Sequence, residues 1–181
     1  MDKSKPPQSK IDSIIALFSN NQLEEALDKV KILIGSFPED PLLHNITGAC
    51  YAGLGELGSA VKSYKKAIEI KPDYAKAHYN LGGAYHELEQ IDDSIESYRR
   101  SLEIDPNYAE SYNNLGSVLS DNDELDEAIS SFEKALILNP EYIEAYYSLG
   151  IIHHEIGNLD KAVSSFENAI KINPSIRITT F

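Results

Sequence analysis

The sequence predicts an all-α solenoid of about five helical hairpins, and three periodic features carry that prediction. Pro38, Pro72, Pro106, Pro140 and Pro174 stand 34 residues apart, so five of the chain's eight prolines keep one register. Gly48, Gly82, Gly116 and Gly150 repeat at the same spacing, and Leu81, Leu115 and Leu149 precede the last three. The small residues Ala60, Ser94, Ala128 and Ala162 are each followed four positions on by an aromatic ring, at Tyr64, Tyr98, Phe132 and Phe166. A second small series, Ala67, Ser101, Ala135 and Ala169, lies three positions further along. A fixed period of this length marks supersecondary units that bury their apolar faces only by stacking on their neighbours.

The period places units at 7–40, 41–74, 75–108, 109–142 and 143–176, each a helix A, a tight turn and a helix B. With Ala75 as position 1 of its unit, His78, Leu81, Gly82 and Tyr85 occupy positions 4, 7, 8 and 11, one stripe at helical spacing. The glycine lets the partner helix come close, at a cost in helix propensity. On helix B, Ala128 and Ala135 leave room for neighbours while Phe132 fills the space between them. Proline at position 32 ends helix B and forces an extended residue before it. Gly55 and Gly157 suit a left-handed residue between the helices, Asn21 can adopt it, and Glu89 and Asp123 fill it less comfortably.

The two ends depart from the pattern. In unit 7–40 the apolar stripe is Ile11, Ile14, Ile15 and Phe18, without a Leu-Gly pair, although Ala26 and Pro38 keep register. Residues 1–6 are expected to be a disordered lead. After Pro174 only SIRITTF follows, with 177–181 read as a tail that is disordered or, alternatively, pairs as a strand. Leu159, Val163, Phe166 and Ile170 would leave an apolar face on the last helix. That face is expected to be covered by a longer natural chain, by self-association through the C-terminal repeat, or by the tail.

The repeat resembles the tetratricopeptide repeat, whose pattern is Trp-x2-Leu-Gly-x2-Tyr, then Ala-x3-Phe, Ala and Pro. Unit 75–108 matches best, with Leu81, Gly82, Tyr85, Ser94, Tyr98 and Pro106. His44, His78, Tyr112 and Tyr146 stand in place of Trp, and Thr47 in place of Leu. The resemblance implies a right-handed α-α superhelix whose concave wall is lined by helix A, and a role in holding another polypeptide.

Positions 2, 5, 6, 9, 12 and 13 of helix A lie opposite the packing stripe and are the candidate ligand contacts. Unit 75–108 offers Lys76, Tyr79, Asn80, Gly83, His86 and Glu87. Unit 109–142 offers Glu110, Asn113, Asn114, Ser117, Ser120 and Asp121, and unit 143–176 offers Glu144, Tyr147, Ser148, Ile151, His154 and Glu155. Unit 41–74 is more apolar at these positions, with Leu42, Ile46, Ala49 and Ala52. Asn80 and Asn114 resemble the asparagine ladder of O-linked GlcNAc transferases, where an amide that both donates and accepts brackets a peptide backbone. Ile46 and Ser148 occupy the neighbouring rungs; the alternative is that asparagine is merely tolerated there. Tyr79 and Tyr147 are amphipathic rings suited to anchoring a partner, or to packing within the array. The family's two-carboxylate clamp needs several cations at such positions. This chain has only Lys76, with Asn113 and Ser117 at positions 5 and 9, so the clamp is excluded.

Charge narrows the partners. With 29 acidic and 16 basic side chains the net charge is -13, which disfavours phosphate backbones and anionic membranes. No stretch approaches a membrane span, the N-terminus lacks the apolar segment of a signal peptide, and Cys50 has no second cysteine to pair with, so a cytoplasmic protein is expected. His44, His78, His86, His153 and His154 do not assemble with a third metal ligand, and neither a phosphate-cradling loop nor a nucleophile elbow occurs. No metal, cofactor or enzymatic activity is expected. The expected function is a scaffold that binds an extended basic or neutral polypeptide in the concave groove. The alternatives are a substrate-recognition or targeting segment of a larger transferase-type enzyme, and a self-assembling structural solenoid.

Overall fold

A computed structural model describes residues 5–174, and every regular element in that range is an α-helix. In order these are α1 (Gln8–Ser19), α2 (Leu23–Ser36), α3 (Pro41–Gly53), α4 (Leu57–Ile70), α5 (Ala75–Glu87), α6 (Ile91–Ile104), α7 (Ala109–Asp121), α8 (Leu125–Leu138), α9 (Ile143–Glu155) and α10 (Leu159–Ile172). The chain divides into two compact units, 1–104 and 105–181. In the first, α1/α2, α3/α4 and α5/α6 form hairpins, stacked through α2 on α3 and α4 on α5. In the second, α7/α8 and α9/α10 form hairpins, stacked through α8 on α9.

The punctuation of the helices comes from single residues. Phe37, Lys71, Asn139 and Asn173 close α2, α4, α8 and α10 at φ of -135°, -133°, -134° and -132°. Each precedes a proline, whose ring disfavours helical geometry one residue earlier. Between the helices of a hairpin one residue turns left-handed: Asn21, Gly55, Glu89, Asp123 and Gly157 have φ between 58° and 79°. Glu89 and Asp123 adopt it despite the Cβ cost that glycine avoids. Asp40 caps α3, its Oδ1 accepting from the backbone N–H of Leu42 at 3.0 Å and of Leu43 at 3.2 Å, with Pro41 as the first helical residue.

Each hairpin from α3 onward closes on one contact. A Cβ added at Gly48 would lie 2.5–2.9 Å from the Tyr64 ring, and one at Gly82 or Gly116 would lie 3.0 Å from Tyr98 or Phe132. Gly150 faces Phe166 in the same way. The small residues beside each ring are buried almost completely, from Ala60 and Ala67 to Ala162 and Ala169. Where serine replaces alanine at Ser94, its hydroxyl donates to the Gly82 carbonyl at 2.8 Å, so the buried oxygen is satisfied and the two helices are tied together.

Stacking between hairpins repeats as well. Lys31 sits 5.1 Å from the ring centre of Tyr51, and Lys65 sits 5.5 Å from that of Tyr85, the same pair one period on. In the second unit this register brings Glu133 on α8 near enough to His153 on α9 for its charge to favour the protonated imidazole. The Trp position is filled by His44 and His78, whose Nε2 atoms lie 2.7 Å and 3.0 Å from the carbonyls of Pro38 and Pro72. These contacts need an N–H on that ring nitrogen, the same polar service a Trp indole supplies.

The structure corrects the sequence reading at two places, on α1 and on α10. The stripe on α1 is split: Ile11 and Ile14 are buried, while Ile15 and Phe18 are 45% and 37% exposed. Phe166 is half-buried on Gly150 and turns inward, so the outer face of α10 consists of Leu159, Val163 and Ile170 without it. Pro6 of the expected lead is buried; the rest of that lead before Lys5, and the tail 177–181, lie outside the described residues.

This packing sets the response to substitution and to pH. Gly48→Ala should destabilise the protein by about 1–3 kcal/mol, because its Cβ overlaps a ring that cannot retreat. Gly58→Ala, where a Cβ meets nothing within 4 Å, should stabilise it by about 0.4–1 kcal/mol. Denaturant melts decide, and equal effects would refute the close-packing assignment. For pH, burial lowers the pKa of His78 and of His153, Lys161 lowers that of His153 further, and Glu133 and the Pro72 carbonyl oppose this only partly. The unfolded chain then binds the proton more readily than the folded one, so stability is full above the ordinary value of 6.5 and lost as pH falls through the lowered values. His153→Leu copies Leu119 of the preceding hairpin and should flatten part of that loss in melts run from pH 7.5 to 5.

Candidate functional site

The odd-numbered helices each carry a packed stripe and an unpacked face, and the unpacked faces hold the candidate residues. Position 3 of helix A (Ala77, Ser111, Ala145) is fully buried, so the accessible arc is narrower than half the helix. Positions 2 and 13, only about 20° apart on the helical wheel, are exposed at its two axial edges, in the first and last turns: Lys76 and Glu87 on α5, Glu110 and Asp121 on α7, Glu144 and Glu155 on α9. Positions 6, 9 and 12 form a half-buried floor, with Asn80 and His86 on α5, Asn114 and Ser117 on α7, and Ser148 and Ile151 on α9. His154 on α9 is exposed.

Position 5 behaves differently from expectation. Asn113 is only 8% exposed and Asn45 only 7%, so both are buried and not part of the accessible face. Asn45 Oδ1 accepts from Asn80 Nδ2 at 2.9 Å, which joins α3 to α5. Asn113 Nδ2 donates to Asn114 Oδ1 at 3.3 Å, the Ser117 hydroxyl donates to the Asn113 carbonyl at 3.2 Å, and Asn113 Oδ1 is buried without a partner among the described residues. Each ladder asparagine therefore already bonds a position-5 asparagine, Asn80 with Asn45 and Asn114 with Asn113, and part of the donor capacity of Asn80 is used inside the chain.

The tyrosines at position 5 stay half-buried. Tyr79 meets Tyr98 edge-on with ring centres 5.8 Å apart, and Tyr147 meets Phe166 in the same geometry at 5.8 Å. Each leans on the helix-B ring of its own hairpin. Lys76 lies 4.7 Å from the centre of the Tyr79 ring, so the one cation among the candidates is drawn over an aromatic face.

The two units differ in charge on this face. In the first, Lys76 and Glu87 offset each other, and α1 adds the exposed apolar side chains Ile15 and Phe18. These two stand at positions 9 and 12, the register of Ala49 and Ala52, a correspondence visible in the 34-residue period but hidden by reading α1 as one apolar stripe. In the second unit Glu110, Asp121, Glu144 and Glu155 are all exposed carboxylates with no lysine or arginine at the corresponding positions. Among the described residues no group of three His, Cys, Asp or Glu side chains is placed to hold a metal ion, and no helix is long and apolar enough to cross a membrane.

Comparison with known proteins identifies the architecture. A model described as TPR repeat matches residues 48–88 and 82–123, and one described as tetratricopeptide repeat matches 107–175. The mitochondrial import receptor subunit TOM70 of Saccharomyces cerevisiae is 34% identical over 59 residues, 33% of this chain and 9% of that protein. The crystal structure of MamA superposes with a TM-score of 0.81 at 26% identity, covering 88% of this chain and 93% of that one. YrrB, described as a TPR protein with an unusual peptide-binding site, superposes with a TM-score of 0.74 at 25% identity, covering 92% of this chain and 86% of that one. The likeness to O-linked GlcNAc transferases rests on Asn80 and Asn114 alone. With ten helices in the expected register and repeat models spanning 48–175, the chain belongs to the tetratricopeptide repeat family.

Proposed function

We propose that the unpacked faces of α7 and α9, and separately that of α5, each offer a surface to an extended polypeptide of basic or neutral character, and that the protein acts as a scaffold for that partner. The tetratricopeptide fold itself supports a protein–protein interaction role. The observation that carries the finer reading is the edge composition of the second unit, where Glu110, Asp121, Glu144 and Glu155 are exposed around a floor of Asn114, Ser117, Ser148 and Ile151. Carboxylates on both edges attract lysine and arginine side chains and repel acidic segments, which sets specificity and association rate. The floor supplies amide and hydroxyl groups for a peptide backbone, and Tyr147 supplies an apolar surface with a polar tip. YrrB is described as having a peptide-binding site, and TOM70 is named a receptor subunit; both are consistent with a polypeptide ligand here.

Fluorescence anisotropy with a labelled, unstructured lysine-containing peptide and its glutamate-containing counterpart tests this reading. The basic peptide should bind more tightly, and its affinity should fall as salt rises, because exposed charges are screened over ~8 Å at physiological ionic strength. Replacing Glu110, Asp121, Glu144 and Glu155 by their amides should weaken it by on the order of tenfold, at a few tenths of a kcal/mol per exposed charge. Preference for the acidic peptide, or an affinity indifferent to salt, would refute the electrostatic part. Asn80→Ala with Asn114→Ala should weaken binding while helical content stays constant, and unchanged binding would remove both asparagines from the recognition surface.

A further inference from the structure

The outer face of α10 has the make-up of a stacking face. Leu159, Val163 and Ile170 are 59%, 56% and 41% exposed. One period earlier on α8, Leu125, Ile129 and Leu136 are half-buried, on the helix against which α9 packs. Glu167 continues the same correspondence, since one period earlier the charge of Glu133 reaches His153 on α9. Further back, Lys31 and Lys65 reach tyrosines of the following hairpin. The α10 ridge thus carries both the apolar residues and the polar reach that elsewhere receive another helix. Glu167 and Asp160 border the ridge, about 40° and 60° around the helix from Val163, whereas Lys161 is about 160° away. Lys171 lines a separate cleft with Pro140 and Tyr146.

A complementary surface lies on α1 and α2. Between these helices a cleft is floored by Ile14, Leu33 and Ile32, and its charged lining residues are Lys10 and Lys29. Ile32 is 72% exposed there, an apolar side chain on an otherwise strongly acidic protein. Lys29 also pairs with Glu25 at 2.8 Å, which leaves Lys10 as the stronger of the two positive charges at the cleft. An apolar ridge edged by carboxylates and an apolar cleft edged by ammonium groups match in apolar character and in sign.

We propose that the α10 ridge of one copy seats in the α1–α2 cleft of a second copy, with Asp160 and Glu167 of the first facing Lys10 and Lys29 of the second. The contact extends the stacking already made by α2 on α3, α4 on α5 and α8 on α9. It joins two different surfaces, so it is heterologous and can add further copies instead of stopping at a dimer. It leaves the unpacked faces of α5, α7 and α9 outside the contact and so goes beyond the polypeptide-binding role.

Sedimentation velocity on the full 181-residue chain, from micromolar to millimolar concentration, tests the proposal. The parent should gain mass with concentration at low salt and less at high salt. Lys10→Glu with Lys29→Glu should weaken association by at least about tenfold, and so should Asp160→Lys with Glu167→Lys, because like charges then face each other. An equal mixture of these two variants should associate again, since each then offers the sign that the other lacks. All four positions are surface sites, and circular dichroism confirms that the variants keep their helices. A parent that stays monomeric to millimolar concentration overturns the proposal. So does association that survives both reversals but is lost in Val163→Glu, which would assign the ridge to a second α10 or to residues 175–181.

Discussion

Every hairpin from α3 onward depends on a helix-A glycine leaving the space that a helix-B aromatic ring fills. Gly48 and Tyr64, Gly82 and Tyr98, Gly116 and Phe132, and Gly150 and Phe166 are four versions of this contact. A glycine in mid-helix is a poor helix former, so the packing it permits must outweigh its propensity cost of roughly 1 kcal/mol. The contact also orients its neighbours. With the ring seated, the alanines and serines around it become buried, and Tyr79 and Tyr147 find an edge to lean on, 5.8 Å from the rings of Tyr98 and Phe166.

The proposed binding face is the surface left over once these contacts are made. Position 8 points into the hairpin, and positions 3 and 10, about 20° apart on the wheel, are buried on a second side of the helix. The arc that holds positions 2, 6, 9, 12 and 13 is left open. Its floor is constrained by stacking, which explains why Asn45 and Asn113 are buried and why Asn80 bonds across to Asn45. Its edges are exposed, outside the buried core, and leave side-chain choice less constrained. That freedom is where the two units diverge, one edge set mixed in sign and the other uniformly acidic. A repeat of this kind separates its tasks: a few positions hold the array together, and the rest are available for recognition.

Much of this was legible in the residues. The 34-residue period located the hairpins, the prolines fixed where helix B stops, and Asn21, Gly55, Glu89, Asp123 and Gly157 all take the left-handed conformation their register demands. The face was legible as a set of positions but not as an accessibility profile. Helical spacing treats positions 5 and 6 alike, whereas burial at position 5 depends on how near the neighbouring odd helix lies, a tertiary distance no single helix encodes. The α1 stripe misled for a related reason. Four apolar residues at helical spacing look like one packed face, yet Ile15 and Phe18 belong to the open arc once the later units supply the register. Phe166 read as an outer-face residue because its neighbours on the wheel are, and only the glycine opposite it reveals that it turns inward. The hydrogen bond from Asn80 to Asn45 depends on two side chains 35 residues apart meeting between helices.

On this reading, recognition occupies the open arc of the odd helices while the even helices serve packing. Residue-resolved NMR shifts on titrating a lysine-containing extended peptide test that division most directly. Shifts should concentrate at Asn114, Ser117, Asp121, Glu144, Ser148 and His154, including the Asn114 side-chain amide, with α4, α6 and α8 largely unmoved. Shifts concentrated on the even helices, with the odd-helix arc silent, would contradict it.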